Sequence, residues 1–380
     1  MTLTNTDTSI LDRFLQTVID MHGTDLMLTV GSMPLVRRDG ALIPAEGMLP
    51  VIDTATMETV LAKLLDREQR NQFEIDRDID FSFSYGAARF RGNAFYQRDK
   101  PAIALRLMHG NIPTFDEIGL PHAIRDLVEM KQGLILFTGP TGSGKSTSMA
   151  TLIDVINQHR PCHIITIEDP IEYLHDSKRA VVHQREIGVD AQSFERALKS
   201  ALREDPDVVL VGEMRDLESI AITLTLAETG HLVISSLHTN DAPQALDRIV
   251  DVFPSDRQSQ IRLQLASVLS AVVAQRLVPR IGSGLVAAYE TLIATSAVSN
   301  LIREGKTRQL RNAMQMGIAQ GNQTLEMSLN HLASIGVISH ETALASAFVP
   351  HEIAAPPAPS LDAPALPGEV PAPPAGPNGV

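Results

Sequence analysis

The chain has 380 residues, enough for two domains each with a core of its own, and its 44% hydrophobic content is globular. A formal net charge of −13 and a pI near 5.4 argue against wholesale nucleic-acid binding, which needs a basic footprint, and the absence of Trp leaves little to stack single strands on. The single cysteine, Cys162, excludes an internal disulfide and a Cys-based zinc site, and no apolar run approaches the ~18 residues that span a bilayer, so a cytoplasmic chain without direct membrane insertion is expected.

The first periodic segment, Ile10, Leu11, Phe14, Leu15, Val18 and Ile19, alternates with Asp, Arg and Gln and predicts an amphipathic helix rather than a signal peptide. Strand-like pieces follow at 26–30 and 34–38, the second ended by an Asp39-Gly40 turn. A helix carrying Met57, Val60, Leu61, Leu64 and Leu65 precedes three strands at 79–85, 89–97 and 102–108. Phe81, Phe83 and Tyr85 alternate with serines, the period-2 mark of a half-buried strand, and Gly86-Ala87 turns it into the next. Residues 1–109 thus form a small α+β domain with an antiparallel sheet, and the GNIPT segment within 110–116 forms a hinge.

Beyond the hinge, over 117–350, apolar strands at 133–138, 163–168, 207–212, 231–237 and 285–293 alternate with amphipathic helices. That order predicts a mostly parallel sheet covered on both faces. Helices are expected at 255–277, 296–304, 307–316 and 321–348, the last broken near Gly336. The Ala/Pro-rich stretch over 351–380 is expected to be a disordered tail.

The chemistry concentrates in the strand–loop–helix at 133–157. GPTGSGKST at 139–147 fits the phosphate-binding pattern G-x-x-x-x-G-K-[ST]. Gly139, Gly142 and Gly144, with Pro140, Thr141, Ser143 and Thr147, let the loop turn its N–H groups on phosphate oxygens at a helix N-terminus. Lys145 is placed to reach the outer phosphates and Ser146 to ligate magnesium, so ATP and Mg2+ are the expected cofactors. A second strand ends in Glu213, a magnesium-side carboxylate acting partly through water. ITIEDPIEYLH at 165–175 presents Glu168 and Asp169 to shape the metal environment and Glu172 to deprotonate the attacking water. GHLVISSLHTND at 230–241 is flanked by His231 and by His238, the better placed to sense a γ-phosphate. Arg89, Arg91, Arg98 and Arg106 could stabilise phosphoryl charge across a subunit interface, with Arg98 and Arg106 as the nucleotide-side candidates; the alternative is a solvated face paired with Asp78, Asp80 and Asp99.

Together these segments resemble the secretion ATPase superfamily, and within it the type IV pilus retraction ATPases. The P-loop is joined by an acidic box at 165–175, the strand-end Glu of VGEMRD at 211–216 and a histidine box at 230–241, in the order and spacing of that family to about residue 348. The segment AVSNLIRE at 297–304 is similar to the retraction signature AIRNLIRE, departing at Val298 and Ser299; its residues alone predict a short amphipathic helix with Leu301 and Ile302 turned inward. The assembly branch carries a Cys-rich zinc insertion that this chain lacks. The resemblance implies an α/β fold: a PAS-like N-terminal α+β domain and a RecA-like ATPase domain in a homohexamer. It further implies a motor for pilus retraction and twitching motility at the inner face of the membrane, working on an inner-membrane platform protein, with a paralogous retraction ATPase as a further partner and no nucleic acid. A pilus-assembly or type II secretion ATPase, and a RecA-like nucleic-acid motor, are the alternative readings.

Overall fold

A computed structural model describes residues 2–3, 9–38, 40–45, 49–86, 88–108 and 110–355. Asp39, Ala87 and residues 356–380, on which two expected turns and most of the Ala/Pro tail fall, lie outside them.

The N-terminal sheet contains β1 (Thr2–Leu3), β2 (Asp25–Thr29), β3 (Leu35–Arg38), β4 (Ala41–Pro44), β5 (Asp78–Tyr85), β6 (Ala88–Gln97) and β7 (Lys100–Met108), in the order β1-β5-β6-β7-β2-β3-β4. It is antiparallel apart from β1, which runs parallel to β5. Phe81, Phe83 and Phe90 turn to one face and stack, where helices Ile10–Asp20 and Thr54–Leu64 cover them with Leu11, Phe14, Met57 and Val60. Helix Arg67–Asp76 and strand β4 were not anticipated: the helix buries only Phe73, and β4 buries no side chain, so neither prints a periodic apolar pattern.

The second sheet is built from β8 (Gly133–Thr138), β9 (His163–Glu168), β10 (Val181–Glu186), β11 (Val208–Val211), β12 (Leu232–Leu237), β13 (Leu269–Pro279) and β14 (Leu285–Ile293), in the order β10-β9-β11-β12-β8-β13-β14. All neighbours are parallel except β13 and β14. Every residue of β8 is buried because each face has its own core: Leu134 and Leu136 enter one, Ile135 and Phe137 the other. The near-continuous apolar runs follow from that double coverage.

The helix expected over 255–277 ends at Val268, and residues Leu269–Pro279 are a strand beside β8. Helix and buried strand are equally apolar there, so periodicity could not separate them. Strand β10 was also missed, since its burial is broken by His183, Gln184 and Arg185. The retraction-signature segment is helical over Ser296–Arg303, with Val298 and Ile302 buried and Leu301 only partly so.

Glu290 on β14 is a cost inside this core. It is 2% exposed, and its carboxylate accepts from the Ala242 amide at 2.9 Å, at the start of helix Ala242–Asp251. Burial pushes its pKa up to about 7. Because the folded state holds a proton that the unfolded chain releases near pH 4.5, stability is complete below that pH and falls as pH climbs to about 7. Glu290→Gln is expected to flatten the fall of melting temperature between pH 5 and pH 8, relieving up to about 3 kcal/mol at the alkaline end. An unchanged pH profile in the variant would count against it.

Candidate nucleotide site

Parallel strands deliver their C-terminal ends to one edge. Leu237 of β12 pairs with Thr138 of β8, and Val211 of β11 pairs with both Ser235 and Ile167. The loops that leave this edge carry, side by side, the P-loop, His238, Glu213 and the acidic turn, as expected at the carboxyl end of an open α/β sheet.

The P-loop is pressed against Gln275, a neighbour distant in the chain. Gly139 has φ 145°, and a Cβ there would lie 2.3 Å from the Gln275 carbonyl oxygen; a Cβ at Gly144 would lie 2.7 Å from the Gln275 amide nitrogen. Ser148 donates to the Gln275 side-chain oxygen at 2.9 Å. Gln275 sits on β13, the strand misread as helix, which is why it was missed.

Lys145 opens helix Lys145–His159 and is buried. Its ammonium donates to the carbonyls of Gly139 at 2.8 Å and Pro140 at 3.1 Å, and lies 3.5 Å from His238 Nδ1. Burial pushes the Lys145 pKa down, and the Glu172 carboxylate opposes that. On its other side His238 Nε2 is 2.7 Å from Glu213 Oε2. Burial, then the charges of Lys145 and Arg215, hold the His238 pKa below its usual value. A neutral ring donating from Nε2 to Glu213 and accepting at Nδ1 from Lys145 satisfies all three groups, and that tautomer is assigned from the bonding pattern. His231, by contrast, sits at the opposite end of β12, with Nδ1 on the Leu226 carbonyl at 2.8 Å, and finishes helix Leu217–Glu228.

The acidic turn contains a cis Asp169–Pro170 peptide bond. Its three acids have different surroundings. Glu168 accepts from Thr166 at 2.6 Å and Gln184 at 3.4 Å, and burial pushes its pKa up to about 7. Asp169 faces Arg215 at 3.7 Å, and Arg215 also pairs with Glu213. Glu172 has no hydrogen-bond or ion-pair partner among the described residues, yet lies near enough to influence Lys145, Glu168 and Tyr173. Arg215 went unnoticed in the sequence, where VGEMRD drew attention to its Glu alone.

Among the described residues no group of three or more His, Cys, Asp or Glu side chains is arranged to hold a metal ion. Of the four expected magnesium-side residues, Glu213, Asp169 and Glu168 have the protein partners given above, while the Ser146 hydroxyl has none among the described residues. One free hydroxyl beside a phosphate cradle suits Mg2+, which keeps waters and takes few protein oxygens. Next to the cradle, a cavity of about 1070 Å³ opens between Gly144, Thr147 and Ser148, the 110–122 linker and the Tyr289 and His331 side.

The arginines sort differently from the expectation. Arg89 pairs with Glu186 rather than with a nearby Asp. Arg106 donates to Asp25 at 2.9 Å, and Asp78 and Asp80 instead bind Asn93. Arg98 is exposed at the β6–β7 turn with φ 47°. Neither Arg98 nor Arg106 bonds to the P-loop of its own chain.

The family model described as Type II/IV secretion system protein matches residues 75–292. The chain belongs to that family. Within it, the chain is 44% identical over 328 residues to the type IV pilus retractation ATPase PilT of Pseudomonas aeruginosa, covering 86% of this chain and 95% of that one. It is 41% identical over 338 residues to the type IV pilus ATPase PilU of the same organism, covering 88% of each. The crystal structure of the pilus retraction motor PilT with bound ADP superposes with a TM-score of 0.85 at 45% identity, over 91% of this chain and 99% of that chain. The secretion-family resemblance and its retraction branch therefore hold, and the second sheet is a RecA-like P-loop ATPase fold preceded by a smaller α+β unit.

Proposed function

We propose that this chain is an ATP-hydrolysing motor that powers type IV pilus retraction. The observation that carries the reading is one sheet edge holding a P-loop lysine, a His–Glu pair bonded beside it and a Glu172 with no bonded partner among the described residues. Phosphoryl transfer asks the protein for those parts: a phosphate cradle, charge stabilisation and a group that prepares the water. Gly139, Pro140, Thr141, Gly142, Ser143, Gly144, Lys145, Ser146 and Thr147 wrap the phosphates. Ser146, with the carboxylates of Glu213, Asp169 and Glu168 nearby, would hold a magnesium ion, which would supply positive charge against the phosphates. His238 reports the state of the γ-phosphate to Glu213, and Glu172 deprotonates the attacking water. Similarity to a retractation ATPase across nearly its full length, and to a motor crystallised with ADP, supports assigning the same work here.

In this reading residues 1–109 and 117–350 move against each other about 110–116, in a homohexamer at the inner face of the membrane. A neighbour's Arg98 or Arg106 completes the site, and a platform protein receives the motion, alongside a paralogous ATPase. No helix among the described residues is long and apolar enough to cross a membrane. Deleting the gene is expected to give hyperpiliated cells that do not twitch, while polynucleotide leaves the purified protein's ATP turnover unchanged. Bald cells would turn the reading toward assembly, and nucleic-acid-stimulated turnover toward a translocase.

A further inference from the structure

Glu172 is held from both sides by its neighbours' backbones, and one of the anchors comes from the other sheet. Tyr173 is fixed by β10 and by the helix that follows the P-loop: its carbonyl accepts from Gln184 at 2.9 Å and its hydroxyl meets Thr147 at 2.9 Å. Gln184 also accepts from the His175 amide at 2.8 Å. Ile171, on the other side, donates its amide to the Glu186 carboxylate at 3.1 Å, and its carbonyl accepts from Arg89 Nε at 2.8 Å. Arg89 closes the ring by pairing through Nη2 with the same Glu186 carboxylate, whose second oxygen accepts from Ser82. Arg89 and Ser82 lie on β6 and β5 of the N-terminal sheet; Glu186 ends β10. The Arg89 and Glu186 side chains are 15% and 6% exposed, so water competes little for the pair.

We infer that Arg89 is a positioning residue for hydrolysis: it grips the Ile171 carbonyl from the N-terminal sheet and so sets Glu172 only while that sheet is docked. The inference rests on the assignment of Glu172 as the base. Chemistry is geometrically exacting, and a displacement of about 1 Å transmitted from outside the site costs up to about 100-fold. The guanidinium suits this task because its rigid fork serves a carbonyl and a carboxylate at once, whereas a lysine ammonium is a single point charge. Arg89 itself has no bond to the P-loop, so its loss acts on the rate and not on nucleotide affinity. Undocking of the N-terminal sheet then idles the site without emptying it.

The test uses the full chain and Arg89→Lys, which keeps the positive charge opposite Glu186 and removes the fork. Single-turnover ATP hydrolysis is measured in the native and the Glu172→Gln backgrounds, with a fluorescent ATP analogue reporting affinity. The expected result is a fall of about 10- to 100-fold in the native background, affinity unchanged within about twofold, and less than a twofold further loss in Glu172→Gln. Equal losses in both backgrounds, or a native rate in Arg89→Lys, overturn the inference while leaving Glu172 as the base. If Glu172→Gln alone hydrolyses at the native rate, the base assignment itself falls, and this inference with it. Glu186→Gln, which weakens the pair from the other side, is expected to show the same dependence on background; a loss that persists in Glu172→Gln counts against it.

Discussion

Purified Lys145→Ala is expected to lose ATP turnover by at least about 10²- to 10³-fold, the scale for removing a preorganised donor from developing negative charge. Its melting temperature, in the absence of nucleotide, is expected to stay close to that of the native chain. Both expectations come from the same local geometry. The ammonium is buried, and burial lowers its pKa, so keeping it charged carries a desolvation cost that only partial solvation by two loop carbonyls offsets. Nothing in either core leans on it: its neighbours are Gly139, Pro140 and His238. The same carbonyls hold the lysine where phosphate oxygens would compete for it, so the group is poised rather than structural. Steady-state ATPase assays together with thermal melts check the pair of outcomes. Native turnover in the variant, or a large drop in melting temperature, would contradict the account.

How much of this site the sequence displayed depended on whether a function was local. The P-loop announces itself within nine residues, because its glycines, lysine and hydroxyl all act inside one turn and the strand and helix beside it are adjacent in the chain. Glu213 and His238 were legible for a related reason: each ends a short apolar strand, and parallel strands bring such ends to one edge. What stayed hidden was partnership across the chain. Gln275 braces two P-loop glycines from more than a hundred residues away, on a strand whose apolar run passes equally well for a buried helix. Arg215 joins Glu213 to Asp169 through a long side chain that no spacing rule could aim. Arg89 is conspicuous in the sequence as a cation, but its acid, Glu186, is not, because it ends a strand that broken burial conceals. His231, which flanks the same strand as His238, instead bonds the Leu226 carbonyl at the end of the preceding helix.

Glu172→Gln is expected to lower the catalytic rate by about 10²- to 10⁴-fold, the range for losing a positioned general base, with KM for ATP changed only a few-fold. Its rival within the turn is Glu168, whose pKa of about 7 is well matched to base chemistry at neutral pH. Geometry decides between them. Glu168 is engaged by Thr166 and Gln184, and its raised pKa records burial. Glu172 makes no such bonds among the described residues, and it faces the lysine end of the P-loop. The amide in Glu172→Gln preserves the shape of the side chain and leaves the anchors at Ile171 and Tyr173 on the backbone, so the loop keeps its place while the proton acceptor is lost. Were Glu168 the base, it would have to be ionised, and turnover would rise as pH climbs through about 7 and vanish in Glu168→Gln. The expected outcome is the reverse: a near-silent Glu172→Gln that still binds a fluorescent ATP analogue, beside a Glu168→Gln that keeps most of its turnover at pH 8. A collapse of analogue binding in Glu172→Gln would instead make its charge a support for Lys145, and move the search for the base to a neighbouring chain.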